Sequence, residues 1–87
     1  KCSGELNYTI EDKSTAIQKV ISYFKEKEEP ESIMDFDGYR LDYKDYWLNI
    51  RPSNTEPYLR FIAEARTQEK LDDLIRKVEE ILRPYLS

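Results

Sequence analysis

A chain of 87 residues is long enough for one small domain with a single modest core, and too short for two. The 39% apolar fraction, which includes seven Tyr, three Phe and one Trp, excludes intrinsic disorder. A net charge of −4 disfavours binding to nucleic acid or to an anionic membrane. No apolar run approaches the ~20 residues that a membrane-spanning helix needs.

Catalytic and metal-binding constellations are missing from the sequence. There is no histidine, and the lone Cys2 forms no internal disulfide, so a reduced, cytoplasmic setting is expected. The carboxylate pairs 72–73 and 79–80 are adjacent positions on a predicted helix and therefore point in different directions. Gly4 and Gly38 alone cannot build a nucleotide-binding glycine loop. We therefore expect no catalytic residue and no metal ligand in this chain.

The first third of the chain predicts a strand followed by a helix. Leu6, Tyr8 and Ile10 alternate with polar residues, which indicates a short strand or an extended lead-in. The sequence lacks an initiating Met and opens on linker-like residues, so positions 1–5 are interpreted as an interdomain linker remnant of an excised single domain, 1–87. Asp12 is the expected N-cap of a helix that ends near Lys27. Its apolar stripe comprises Ile17, Val20, Ile21 and Phe24.

The middle of the chain predicts a meander of four antiparallel strands. Their expected ranges are 33–36, 39–43, 46–50 and 58–65. Asp37-Gly38 between the first two is the signal of a two-residue type I′ hairpin. In the third strand Leu48 and Ile50 share one face, so the following Arg51 is expected to point to the other.

A second helix closes the domain. Thr67 is its expected N-cap, and Pro84 is expected to end it. The two apolar helix stripes pack most simply on the apolar face of the sheet, which predicts an α+β fold: an antiparallel four-stranded meander sheet with two helices on one face. The stripe of the second helix comprises Leu71, Leu74, Ile75, Val78, Ile81 and Leu82.

The loop between the last two predicted strands, residues 51–57, reads Arg-Pro-Ser-Asn-Thr-Glu-Pro. Arg51 offers a planar fork of donors that suits phosphate or carboxylate. Ser53 and Thr55 add hydroxyls, Asn54 adds an amide, and consecutive backbone N–H groups in such a turn can converge on an anion. The same residue types are also ordinary turn formers, so the pattern alone leaves a plain turn and an oxyanion site both open.

The loop resembles the phosphate-binding loop in the C-terminal domain of the α-D-phosphohexomutases. Asn54 points to the phosphomannomutase/phosphoglucomutase branch, since the phosphoglucosamine mutase branch usually has Gly there. Pro52 stands where the family often has Ala. Further likeness lies in Asp37-Gly38, in Trp47 and in the opening stretch at 3–7, Ser-Gly-Glu-Leu-Asn. The resemblance therefore extends over nearly the whole chain.

The resemblance implies the TBP-like C-terminal domain of an enzyme that interconverts hexose 1-phosphate and hexose 6-phosphate, with mannose or glucose as the sugar. Arg51, Ser53, Asn54 and Thr55 would bind the phosphate that is not transferred. A phosphoserine and Mg²⁺ would belong to other domains, over which this domain would close. The alternative is a non-enzymatic α/β binding module, either an RNA-binding sheet or a protein-interaction domain. Acidity disfavours the first, and the loop's lack of a hydrophobic anchor disfavours the second.

Overall fold

The computed structural model describes residues 2–35, 38–53 and 57–86. Within them the chain forms an antiparallel sheet, two α-helices and a C-terminal 3₁₀ turn at Arg83–Tyr85. The elements are β1 (Cys2–Thr9), α1 (Lys13–Lys27), β2 (Ser32–Met34), β3 (Tyr39–Asp42), β4 (Tyr46–Pro52), β5 (Tyr58–Ala65) and α2 (Gln68–Leu82). The α+β class expected from the sequence is confirmed.

Both helices begin at the caps that the sequence predicts. The side chain of Asp12 accepts a hydrogen bond from the Thr15 N–H at 3.3 Å, and Thr67 accepts one from the Lys70 N–H at 3.1 Å. Each bond satisfies a backbone donor that the first helical turn leaves without an intrahelical partner. The second helix ends at Leu82, and Pro84 lies in the 3₁₀ turn that follows.

The strand count expected from the sequence is wrong by one. The sheet has five strands in the order β1-β5-β4-β3-β2, because β1 pairs along its whole length with β5. The alternation between the two sheet faces starts at Cys2 instead of Leu6. Cys2 to Glu5 are therefore paired strand residues, although the sequence pattern placed them in a linker. β1 thereby covers an edge that a four-stranded meander would leave exposed.

The β2–β3 connection also differs from the expected two-residue turn. A type I′ turn at 37–38 would pair Met34 with Leu41, whereas Met34 pairs with Arg40 and Ile33 with Leu41. The expected register is therefore off by one residue. Asp37 lies outside the described residues; Gly38 has a φ of 129°, in the region that favours glycine.

The core lies between the helices and one face of the sheet. The helix-facing residues of β4 and β5, among them Leu48, Ile50, Phe61 and Ala63, are fully buried. α2 packs against β5 and β1, and α1 packs against β4 and α2. In the described part of the chain no helix covers the opposite face of the sheet, which we call the open face. Polar side chains of all five strands lie on it.

Tyr43 ties the β3–β4 turn to the end of α1. Its side chain is buried, and its hydroxyl lies 3.0 Å from the carbonyl oxygens of both Phe24 and Glu28. The hydroxyl hydrogen is thus shared between the Phe24 carbonyl, which also accepts from the Glu28 N–H, and the Glu28 carbonyl just beyond the helix. Its ring stacks on Tyr46 with the ring centroids 4.6 Å apart.

We predict that Tyr43→Phe lowers the free energy of unfolding by about 1 kcal/mol, because the hydrogen bond from the hydroxyl to the end of α1 is lost while the ring packing stays. Urea denaturation followed by circular dichroism measures the change. Tyr85→Phe is the matched control, since no described residue hydrogen-bonds the Tyr85 hydroxyl. Equal effects of the two substitutions would contradict the role assigned to the Tyr43 hydroxyl.

Candidate functional site

Arg51 stands near the end of β4 on the open face. Leu48 and Ile50 face the core at 0% exposure, and alternation turns the Arg51 side chain to the exposed side, as the sequence predicted. Among the described residues, none forms a hydrogen bond or an ion pair with its guanidinium. Within that part of the chain, the donor fork of Arg51 is therefore open to a ligand.

A second arginine lies directly across the strand pair. The register of β4 and β5 places Arg60 opposite Arg51. Like charges on facing strand positions repel each other and destabilise a sheet, unless an anion lies between them. The sequence pattern did not single out Arg60 as a site residue. The sequence alone did not indicate it, because symmetric pairing about the middle of loop 51–57 would set Arg51 opposite Pro57 and not opposite Arg60.

The two arginines, together with Pro52 and Ser53, line a small cleft of about 180 Å³. The Ser53 N–H donates to the Tyr58 carbonyl at 2.9 Å, so it closes the hairpin and is not free to bind an anion. The hydroxyl of Ser53 has no hydrogen-bond partner among the described residues. The structure therefore brings Arg51 and Ser53 together with Arg60. The other predicted site residues, Asn54 and Thr55, lie outside the described residues.

Arg60 is held from the far side by β1. Its Nε lies 3.2 Å from a Glu5 carboxylate oxygen and 3.4 Å from the side-chain oxygen of Asn7. With Arg51 and Arg60 against Glu5, this group carries a net charge of +1, on a chain whose net charge is −4. The cleft is thus a locally positive spot on an acidic domain, an arrangement that suits a small anion.

Gly38 supports Arg51 from the β2–β3 connection. A Cβ at position 38 would lie 2.4 Å from Arg51 Cβ and 2.7 Å from the Ile50 carbonyl oxygen. Only a residue without a side chain fits against this backbone. The sequence indicated Gly38 only as a turn residue. In the structure its close approach to the backbone of β4 also fixes the position of Arg51.

Larger clefts lie elsewhere on the domain: one of about 460 Å³ is lined by Gly38 and Pro52, among others, and two more lie near the other end of the hairpin. One of about 420 Å³ is lined by Tyr43, Tyr46 and Lys70, among others, and Lys70 Nζ lies 4.7 Å above the Tyr46 ring. Burial raises the pKa of the Tyr43 hydroxyl and that of the Tyr46 hydroxyl above the ordinary tyrosine value. Both hydroxyls are therefore protonated at neutral pH. Among the described residues, this cleft has no two arginines on facing strand positions, as Arg51 and Arg60 are.

The aromatic residues are divided between the two faces of the sheet. On the open face, Trp47 donates from Nε1 to Glu64 at 3.1 Å, and the Arg40 guanidinium lies 4.3 Å above its ring. Tyr58 lies on the same face. The remaining candidates for base stacking face the helices: Tyr39, Tyr43, Tyr46 and Phe61. A continuous aromatic platform of the kind that binds RNA is therefore not assembled by the described strands.

Metal-binding clusters and membrane-spanning helices are both absent from the described residues. No group of three or more His, Cys, Asp or Glu side chains is placed to hold a metal ion in ranges 2–35, 38–53 and 57–86. Over the same ranges, no helix is both long and apolar enough to cross a membrane.

Fold and site together define an α+β domain with a cationic cleft at one end of a central hairpin. The model of the phosphoglucomutase/phosphomannomutase C-terminal domain matches residues 5–81, and the chain belongs to this family. The chain is 30% identical over 80 residues to a phosphomannomutase from Methanocaldococcus jannaschii, covering 92% of the chain and 17% of that protein. It is 34% identical over 86 residues to a probable phosphoglucosamine mutase from Pyrococcus horikoshii, covering 98% of the chain and 18% of that protein.

A solved structure shows the same fold. The crystal structure of a phosphoglucomutase/phosphomannomutase family protein from Burkholderia thailandensis superposes with a TM-score of 0.66 at 23% identity. The match covers 99% of this chain and 19% of that one. The chain thus spans less than a fifth of the length of each of these proteins.

We predict that Gly38→Ala destabilises the domain by roughly 2–4 kcal/mol, since the new methyl group meets backbone atoms and the φ of 129° is strained for alanine. Thermal and urea denaturation measure the loss. Gly4→Ala is the matched control: there the Cβ would lie 3.4 Å from the flexible end of Ile75. That change should alter stability by less than about 1 kcal/mol. A tolerated Gly38→Ala would mean that the β2–β3 connection does not fix Arg51.

Proposed function

We propose that this chain is the phosphate-binding, cleft-closing C-terminal domain of a phosphomannomutase/phosphoglucomutase that interconverts hexose 1-phosphate and hexose 6-phosphate. The observation that carries the proposal is the facing pair Arg51 and Arg60 beside the Ser53 hydroxyl, in a domain of this family. Two cations that repel each other in the empty site become favourable partners once a phosphate dianion lies between them.

Each residue has a distinct role in holding the phosphate that is not transferred. Arg51 donates two charge-assisted hydrogen bonds from its fork, and Arg60 supplies a second positive charge from the facing strand. Ser53 donates its hydroxyl hydrogen. In the proposed site Asn54 and Thr55 complete the set of donors. Anchoring this distant phosphate positions the reacting hydroxyl and makes remote binding energy available to the transition state.

The reaction itself is assigned to the other domains of the enzyme. There a phosphoserine and Mg²⁺ would supply the phosphoryl-transfer chemistry, and another domain would contact the sugar ring. This domain would act as a lid that excludes water from the cleft while it holds the substrate. The proposed partners are therefore a mannose or glucose phosphate and the remaining domains, in the cytoplasm. The isolated chain is proposed to be inactive.

The alternative binding modules have less support. An RNA-binding sheet would need a basic surface and an aromatic platform, whereas the net charge is −4 and most of the aromatic rings face the helices. A protein-interaction domain would need a hydrophobic anchor, and the cleft at Arg51 is polar. A protein-interaction function would not account for the facing arginines.

A titration of the isolated chain separates these functions. We expect glucose 6-phosphate and mannose 6-phosphate to bind with a Kd on the order of millimolar, because the other domains do not contribute contacts. Amide chemical shifts of ¹⁵N-labelled protein should move at Arg51, Ser53 and Arg60. Glucose without phosphate and a single-stranded RNA are the controls. Shifts caused equally by glucose, or caused only by RNA, would refute the proposal.

Substitutions in the full-length enzyme test the individual roles. Arg51→Ala should reduce kcat/KM by roughly 150-fold or more and Ser53→Ala by roughly 10- to 150-fold, since a hydrogen bond to a charged group contributes ~1.5–3 kcal/mol, and Arg51 donates two such bonds where Ser53 donates one. Arg51→Lys should restore only part of the loss, because an ammonium group keeps the charge without the fork.

Thermal melts of the three variants provide the control for folding. Arg51 is exposed on the open face, so its removal should leave the melting temperature almost unchanged. If Ser53→Ala costs as much as Arg51→Ala, or if Arg51→Ala unfolds the domain, Arg51 has a structural role and not the proposed binding role.

A further inference from the structure

We propose that Glu5 is a built-in counter-ion of Arg60 that competes with the bound phosphate, so that β1 sets the anion affinity of the site. This inference rests on the proposed function. It goes beyond it by assigning a role to an acidic residue of a strand that the sequence pattern left outside the site. The contact that carries it is the 3.2 Å ion pair between Arg60 Nε and a Glu5 carboxylate oxygen.

The register of the sheet places Glu5 beside the cleft. Asn7 of β1, Arg60 of β5 and Arg51 of β4 lie side by side across three neighbouring strands. Glu5 lies two residues before Asn7 and therefore on the same open face. Glu5 and Asn7 both contact Arg60 through Nε. Arg60 also lines the cleft with Arg51.

Charge decides whether Glu5 helps or hinders a ligand. In the empty site the Glu5 carboxylate offsets the repulsion between the facing arginines. A phosphate dianion between these arginines takes over that role, and the carboxylate then repels it at short range. The side chain of Glu5 is 53% exposed and that of Arg60 39%, so water screens the repulsion and the effect is modest.

A purely supporting role for Glu5 would predict the opposite sign. If the carboxylate served to aim Arg60 at the phosphate, its loss would weaken binding. However, Asn7 accepts from the same Nε at 3.4 Å and would continue to hold the side chain. A glutamine at position 5 also keeps an oxygen that can accept from Arg60. Removing only the charge therefore removes the competition and leaves the orientation.

The test is a titration of this chain and its variants with inorganic phosphate at about 0.1 M ionic strength, followed by the amide shifts of Arg51 and Ser53. Glu5→Gln should lower the Kd about threefold relative to the wild type. In about 0.5 M NaCl the difference should shrink towards zero, because salt screens exposed charges. Glu5→Ala should change the Kd in the same direction, and it serves if the glutamine variant does not fold.

Asp45→Asn is the matched control for net charge. Asp45 pairs with Arg66 at 3.6 Å and is 57% exposed, close to the exposure of Glu5. It precedes β4, whereas Arg51 stands near the end of that strand, so about 20 Å of extended chain separates the two. This distance exceeds the Debye length at 0.1 M salt. The control should leave the Kd within experimental error of the wild type.

Every outcome bears on the inference. A Kd of Glu5→Gln equal to that of Asp45→Asn, or higher than that of the wild type, overturns the competition while the phosphate site stands. If wild-type chain shows no phosphate-dependent shifts at Arg51 and Ser53, the proposed function fails and this inference fails with it. Loss of binding in Arg51→Ala together with an unchanged Glu5→Gln overturns only the role of Glu5.

Discussion

The pairing register of β4 with β5 is the constraint on which both the core and the site depend. The same ladder sets Leu48 against Ala63 and Ile50 against Phe61 on the buried face. One residue further along, it sets Arg51 against Arg60 on the open face. A slip of one strand by one residue would turn that strand's side chains to the other face, and a guanidinium without a partner would enter the core. Packing on the apolar face therefore holds Arg51 and Arg60 opposite each other, although their repulsion on the open face opposes this arrangement.

Segments far apart in the sequence converge on this pair. β1 supplies Glu5 and Asn7 to Arg60, and the β2–β3 connection brings Gly38 against the backbone of Arg51. The end of the hairpin is also tied to β1, since the Ile10 N–H donates to the Pro57 carbonyl at 3.1 Å. The arginines thus stand on a rigid sheet that is supported on both sides. This support matters because phosphate recognition by a donor fork depends on direction as well as on charge.

The sequence predicted those features that local chemistry determines, and missed those that pairing determines. Both helix caps, the apolar stripes and the face of Arg51 follow from residue types and from the periods of helix and strand. The start of β1 and its place in the sheet were missed because polar Ser3 and Glu5 resemble a linker until they are seen alternating opposite β5. The role of Arg60 required a register, which a single sequence does not state. The predicted β2–β3 register was wrong because Asp37-Gly38 is typical of a two-residue turn. The observed register, which sets Ile33 beside Leu41, does not fit a two-residue turn at these positions.

Stability and binding are coupled through the same charges. An empty site in which two arginines face each other is less stable than a sheet with neutral residues there, and a bound anion returns that free energy. In our proposal Glu5 moderates this exchange, because its ion pair with Arg60 stabilises the empty domain and lowers the free energy that the ligand gains. Under the proposed function, such a balance would suit a domain that releases its phosphate in every catalytic cycle, because a site that binds the anion too tightly would slow product release. The acidic residue beside a cationic cleft is therefore consistent with a site built for turnover as well as for capture.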